Sequence, residues 1–253
     1  MNYIANSYFH YIKKEEYLID ILTNGLQPRY VFEDYKQLLP KYKDKNISTE
    51  VAVPMLCFCD IPLALVSEHT NEYGEFAIGL SHDWGLKNLN PIFYLKNNSV
   101  LNNFLNFIQE KYLNFQLPQD EFENRFRVWQ DFIAFIKPYS GISLKTNKKK
   151  EFYQEREWRW VPEIKQAEKT QGVILRILKK EVDEGTIDME EKNGLLRKNY
   201  KLDYMVGDIT YIVVPDNKIK KEIANKIYGM TNLGDIPLLI SKIISLQEIK
   251  ENF

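Results

Sequence analysis

Three charged side chains at alternate positions mark the first place where this sequence could do chemistry. In Phe152-Tyr153-Gln154-Glu155-Arg156-Glu157-Trp158-Arg159-Trp160, an extended backbone puts Glu155, Glu157 and Arg159 on one face. Arg156, Trp158 and Trp160 take the other. Two carboxylates about 7 Å apart along a strand face, with an arginine to orient them, suit the cleavage of an N-glycosidic bond. That reaction passes through an oxocarbenium-like state on a ribose, which a carboxylate stabilises electrostatically. A histidine near the ribose hydroxyls and rings stacked on the departing base would complete the site. His10, flanked by Tyr8 and Tyr11, supplies the histidine, and Tyr73, Phe76 and Trp84 supply the rings. Glu157 is the leading carboxylate, Glu155 the second, and Arg159 the orienter. The competing reading is structural: an Arg–Glu ladder on an exposed sheet face, a hydrogen-bonded histidine, and aromatics that are core.

Other chemistries find less support. Neither a Gly-x-Gly-x-x-Gly loop, a Walker lysine nor a Gly-x-Ser-x-Gly turn is present. His10, His69 and His82 are scattered, and Cys57 and Cys59 have no partners at zinc spacing, so no metal is expected. The two cysteines sit in an apolar run and should be inert buried thiols. Asp60, at the end of that run, reads as a helix cap.

The elements that must position these residues follow from hydrophobic spacing. Residues 7–12 form an aromatic strand, and Lys14 to Asn24 a helix with Tyr17, Leu18, Ile21 and Leu22 on one face, stopped by Gly25. Residues 29–50 read as a polar surface loop with a helical turn. Val51 to Ile61 is a buried strand, Tyr73 to Leu80 another, and Asn90 to Leu95 a third. From Val100 to Lys137, Leu101, Phe104, Leu105, Ile108 and Tyr112, then Phe122, Phe126, Trp129, Ile133 and Ile136, recur at helical intervals. Lys148-Lys149-Lys150 reads as a solvated turn. Residues 172–178 and 208–214 are further strands, Ile219 to Tyr228 a helix, and Pro237 to Ser245 a last short strand. The expectation is one α+β domain over residues 1–253, with a mixed, mostly antiparallel sheet and a helical insertion at about 99–138.

Bulk properties narrow the function classes. With 34 basic and 35 acidic residues among 253, the net charge of −1 argues against a protein that coats nucleic acid or an anionic membrane. A nucleic-acid target is therefore open but not indicated by charge. The 13% aromatic content suits cores and interfaces. No apolar run reaches the ~20 residues of a membrane span, and Met1 to Asn6 lacks the features of an export signal, so no membrane association and a cytoplasmic location are expected.

Segments 51–62 (Val-Ala-Val-Pro-Met-Leu-Cys-Phe-Cys-Asp-Ile-Pro), 73–84 (Tyr-Gly-Glu-Phe-Ala-Ile-Gly-Leu-Ser-His-Asp-Trp) and 152–159 (Phe-Tyr-Gln-Glu-Arg-Glu-Trp-Arg) together resemble the AbiGi family. Those proteins act in abortive phage resistance and are described as antitoxin-like partners of a nucleotidyltransferase-type toxin. The resemblance implies a phage-defence role, with a cognate toxin or a phage-derived protein as partner. Phe9-His10 and Leu18-Ile19-Asp20-Ile21-Leu22-Thr23-Asn24-Gly25-Leu26 are also similar to the opening of DarT-type ADP-ribosyltransferases. That second resemblance implies an ADP-ribosyltransferase-like fold with NAD as cofactor. His10 would then meet the NAD ribose, with Tyr11, Phe76 and Arg159 beside the cofactor. Tyr73 would stack near nicotinamide, and Glu157 would act on the 2′-hydroxyl, with Glu155 the other late-strand Glu available. Tyr11 stands where those enzymes usually carry Thr or Ser.

Overall fold

The computed structural model describes residues 5–36, 38, 49–112, 118–164, 172–230 and 233–252. In chain order the strands are β1 (Ser7–Ile12), β2 (Arg29–Asp34), β3 (Glu50–Asp60), β4 (Phe76–Ser81), β5 (Asn90–Pro91), β6 (Phe93–Leu95), β7 (Ile136–Pro138), β8 (Ser140–Ile142), β9 (Lys149–Glu151), β10 (Glu157–Trp160), β11 (Ile177–Leu178), β12 (Ile209–Val214) and β13 (Ile243–Ser245). The helices are α1 (Glu15–Asn24), α2 (Val66–Tyr73), α3 (His82–Asn88), α4 (Val100–Tyr112), α5 (Gln119–Ile133), α6 (Lys179–Asp183), α7 (Met189–Asn199), α8 (Asn217–Tyr228), α9 (Ile236–Ser241) and α10 (Leu246–Asn252).

Among the described residues the main sheet has nine strands, with β13-β12-β4-β1-β3-β10-β5 in order and β2 and β11 paired to the far half of β3. Every pairing in it is antiparallel except β12 with β13. The class is therefore α+β, with a mixed, mostly antiparallel sheet. The eleven-residue β3 is the spine, because β1 and β10 pair with its C-terminal half and β2 and β11 with its N-terminal half. Its run of apolar residues explains this: residues 52–56 are all buried, so both faces must be covered.

Helices α4 and α5 lie between β6 and β7, within the stretch read as a helical pair. Leu105, Trp129, Ile133 and Ile136 pack there with Tyr35 and Leu38. Leu101 and Phe104 lie at helical intervals that predict an inward face, yet they are 52% and 59% exposed. The apolar arc of α4 is wider than the strip it can bury, so one edge of it faces solvent.

Several boundaries differ from expectation for identifiable reasons. The 29–50 stretch is no simple loop, since Arg29–Asp34 pairs with Met55 to Glu50 of β3. Its strand pattern, Tyr30 to Phe32, is short and flanked by charge, which hid it. Residues 37 and 39–48 of that stretch lie outside the described residues, as do residues 1–4 of the Met1 to Asn6 segment that lacks the features of an export signal. Tyr73 closes a helix rather than opening a strand, so β4 starts at Phe76. The 152–160 segment becomes a strand only at Glu157: residues 152–155 form a 3-10 turn, and Arg156 has φ +44. Only Ile177 and Leu178 of 172–178 pair. Asn90 to Leu95 divides between two sheets, and the 237–245 segment is a helix followed by β13. Asp60 caps nothing, because the 3-10 turn at Leu63 begins after Pro62; its carboxylate instead meets His82 Nε2 at 3.0 Å.

Gly74 fixes the position of Tyr73. It follows α2 with φ +114, and a Cβ there would stand 2.3 Å from the carbonyl oxygen of Ile12. Both the backbone angle and the contact demand glycine. Gly74→Ala should therefore lower the unfolding free energy by about 2 kcal/mol or more, measured by urea denaturation. A loss below ~0.5 kcal/mol, the range of a neutral surface substitution, would contradict this packing.

Candidate functional site

Sheet register decides which candidate residues can meet. Glu157 lies opposite Cys59, Arg159 opposite Cys57, and Phe9 opposite Cys59. Directly opposed residues point to the same face, so Glu157, Arg159, Cys57, Cys59, Phe9 and Tyr11 share one side of the sheet. Tyr8, His10, Phe58 and Trp158 occupy the other, as the Tyr8–Trp158 and His10–Phe58 ring contacts at 4.9 and 5.3 Å confirm. The structure thus separates His10 from Glu157 by the thickness of the sheet.

On the Glu157 face the glutamates are buried deeply. Glu155 is 2% exposed, Glu157 5% and Arg159 0%, which overturns the surface-ladder reading. One ammonium bridges the two carboxylates: Lys137 Nζ, from β7, lies 2.9 Å from Glu155 Oε2 and 2.9 Å from Glu157 Oε2. Arg159 Nε donates to the other Glu157 oxygen at 2.6 Å, while its guanidinium also donates to Glu33 of β2 and to the Ala134 carbonyl. Glu155 Oε1 is held by Lys150 at 2.8 Å and accepts the Tyr73 hydroxyl. Lys150 pairs in turn with Glu72, which accepts Ser143 Oγ at 2.8 Å. The ammonium of Lys145 lies 3.8 Å above the centre of the Tyr73 ring. Tyr94 closes the β10 end by accepting the backbone N–H of Glu157 at 2.8 Å.

Electrostatics follow from this packing. Burial alone would raise the Glu157 carboxyl, but the Arg159 and Lys137 charges and hydrogen bonds outweigh it and hold it far below the usual carboxylate range. Glu155 is lowered in the same way, with desolvation opposed chiefly by Lys137. Desolvation would lower Lys137 and Arg159; the surrounding glutamates outweigh it and push both up. Burial, then the charge and hydrogen bond of Glu155, push Tyr73 up. Both carboxylates are therefore ionised at neutral pH, and each is matched by at least two cations. Burial raises the Cys57 and Cys59 thiols, so both stay protonated at neutral pH.

Of the candidate residues, the structure brings together Tyr73, Glu155, Glu157 and Arg159, with Tyr11 beside Tyr73 at 6.0 Å between rings. It does not bring His10 or Phe76 to them. His10 Nδ1 meets the Cys57 carbonyl at 2.8 Å, and burial lowers its pKa, which keeps the ring neutral. Phe76 faces Ile12 in the core on the His10 side. Lys137, Lys150, Glu33, Glu72 and Tyr94 were not legible as partners. Lys150 reads as a solvated turn but stands on β9 inside the cluster, and Glu33 lay in a stretch read as loop. Among the described residues no three His, Cys, Asp or Glu side chains form a metal-binding group, and no helix is long and apolar enough to cross a membrane.

The family model described as "Putative abortive phage resistance protein AbiGi, antitoxin" matches residues 24–215, which include every member of the charge cluster. The chain belongs to the AbiGi family. A curated relative, the abortive phage resistance protein AbiGi of Lactococcus lactis subsp. cremoris, is 30% identical over 256 residues, covering 89% of this chain and 98% of the relative. No solved structure matches the chain.

The shared lysine gives the cluster a measurable signature. Lys137→Met leaves two buried carboxylates without their common cation and should cost about 3–5 kcal/mol. In the native protein both glutamates have lowered folded pKa values, so their stabilisation is complete above the unfolded value and fades as pH falls below ~4.3. Without Lys137 those folded values rise, and the deficit of the variant should shrink as pH is lowered from 7 to 5. Chemical denaturation at both pH values tests this; a deficit that is small or independent of pH would contradict the shared-cation geometry.

Proposed function

We propose that this protein acts in phage resistance as an antitoxin that neutralises a cognate nucleotidyltransferase-type toxin by direct binding, without catalysis of its own. The family model is described as an antitoxin, and the Lactococcus relative bears the name of an abortive phage resistance protein. The observation that carries the non-catalytic part is the closed state of the carboxylates. Lys137 bridges Glu155 and Glu157, Arg159 and Lys150 hold their remaining oxygens, and His10 lies across the sheet. A general base or an oxocarbenium-stabilising carboxylate needs an oxygen that can approach substrate. These oxygens are committed to a clamp between the insertion and the sheet.

A second reading keeps the ADP-ribosyltransferase-like enzyme with NAD as cofactor. It is favoured by one observation: Tyr73, Glu155, Glu157 and Arg159 meet at one place, with the Lys145 ammonium and the Tyr73 ring at its edge. In that reading the clamp opens when NAD and a target arrive.

Tyr73→Phe separates the two. It removes one hydrogen bond to Glu155 and should cost about 1–2 kcal/mol. The binding reading expects toxin neutralisation in co-expressing cells to match the wild type. It also expects labelled NAD, incubated with purified protein and with infected-cell extract, to be neither hydrolysed nor transferred. NAD turnover that Glu157→Gln or Tyr73→Phe abolishes would overturn it in favour of the enzyme.

A further inference from the structure

Helix α4 is turned the wrong way for a helix that only has to pack on its own protein. At 100° per residue its apolar side chains span an arc of roughly 160°, from Phe107 through Val100 and Phe104 to Leu105. The buried sector is centred elsewhere, on Leu105, Gln109 and Asn102. Val100 is 83% exposed, Phe104 59%, Phe107 54% and Leu101 52%. On the inner side, the amide oxygens of Asn102 and Asn106 are buried and find no hydrogen-bond partner among the described residues. Such an oxygen gives up its hydration without a replacement hydrogen bond, which is unfavourable, so this rotation keeps phenylalanines in water and amides in the dry layer.

Deepening the antitoxin reading, on which this rests, we infer that the outward edge of α4 is the surface that docks the toxin. Size supports this. The four side chains present on the order of 400 Å² of apolar surface, at ~150–250 Å² per fully buried aromatic. That is as large as the largest patch on a typical monomer, ~300–600 Å², and about half of the ~800 Å² that each partner contributes to a stable interface. Val128 and Phe132, one turn apart on α5, are also exposed. Chemistry narrows the occupant further. From Asn97 to Gln109 the sequence carries no charged residue. A helix that lies on a lipid surface needs a Lys- or Arg-rich polar face, whereas the polar residues of α4 are mostly amides, and Asn102 and Gln109 are buried against the protein. The patch, with the Lys111 ammonium 5.9 Å from the centre of the Phe107 ring, therefore fits an apolar protein face that has aromatic or aliphatic anchors and sets no cation opposite Lys111, as at the centre of an interface.

The test titrates immobilised cognate nucleotidyltransferase-type toxin with the full chain. Three forms are compared: wild type, Phe104→Glu/Phe107→Glu, and Met205→Glu, an exposed apolar position away from α4. Thermal melts of all three check folding. The expected result is that the wild type and Met205→Glu bind alike, while the double variant, equally stable, binds roughly 30-fold more weakly or worse. If the wild type binds and the double variant binds equally well, the α4 surface is wrong and the antitoxin reading stands. If the wild type does not bind at all, the antitoxin reading itself fails. If sedimentation shows the wild type dimeric and the double variant monomeric, with toxin binding unchanged, α4 docks a second copy and the inference is overturned.

Discussion

One ammonium group holds the structure's least comfortable charges in place. Lys137 enters from β7, at the end of the helical insertion, and its three N–H donors serve both Glu155 and Glu157 in a region from which water is nearly excluded. Desolvating so many charges is costly, and the mutual attraction offsets that cost only when every oxygen is matched. Here the matching reaches across the fold. Arg159 ties β10 to Glu33 of β2 and to the end of α5, and Lys150 ties the β8–β9 hairpin to α2 through Glu72. The cluster thus fastens the insertion, the hairpin and the sheet at one point. Such clusters are weak sources of net stability but strong discriminators of arrangement, because any other docking of the insertion would leave a buried charge alone.

That constraint explains the division of labour between the two faces of the sheet. The His10 face is an apolar core under α1, α3, α8 and α9, where Tyr8, Phe58 and Trp84 pack together. The opposite face is apolar only under α2 and α10 and becomes ionic toward β10. A histidine and a glutamate that look complementary in sequence are consequently built into different layers. Lys137 anchors the strand that follows α4 and α5, and one apolar edge of α4 faces solvent.

The fold was more legible in the sequence than the site was. Strands β1, β3 and β12 and helices α1, α4, α5 and α8 follow directly from hydrophobic spacing, because each buries a strip whose period matches its backbone. Alternation from Glu155 to Arg159 correctly grouped the three charged residues, although Arg156 breaks the strand before Glu157. Burial was not legible. A run of Glu and Arg reads as solvent-facing until its counter-ions are known, and Lys137, Lys150 and Glu33 come from segments distant in sequence. The face of His10 could not be set against that of Glu157 either, since the relation depends on the register of β1 and β10 on β3. The α4 rotation was missed for a related reason: periodicity gives the apolar arc, and only tertiary packing selects which part of it is covered.

On the proposed reading, the Glu155–Lys137–Glu157 cluster is a clamp and the protein acts by binding. The most direct measurement replaces one charge pair by uncharged groups of similar size, Lys137→Met with Glu157→Gln, and assays toxin neutralisation in cells alongside the thermal melt of the purified protein. A folded double variant that neutralises the toxin as well as the wild type is the predicted result. A variant that melts like the wild type but no longer neutralises the toxin would contradict the account.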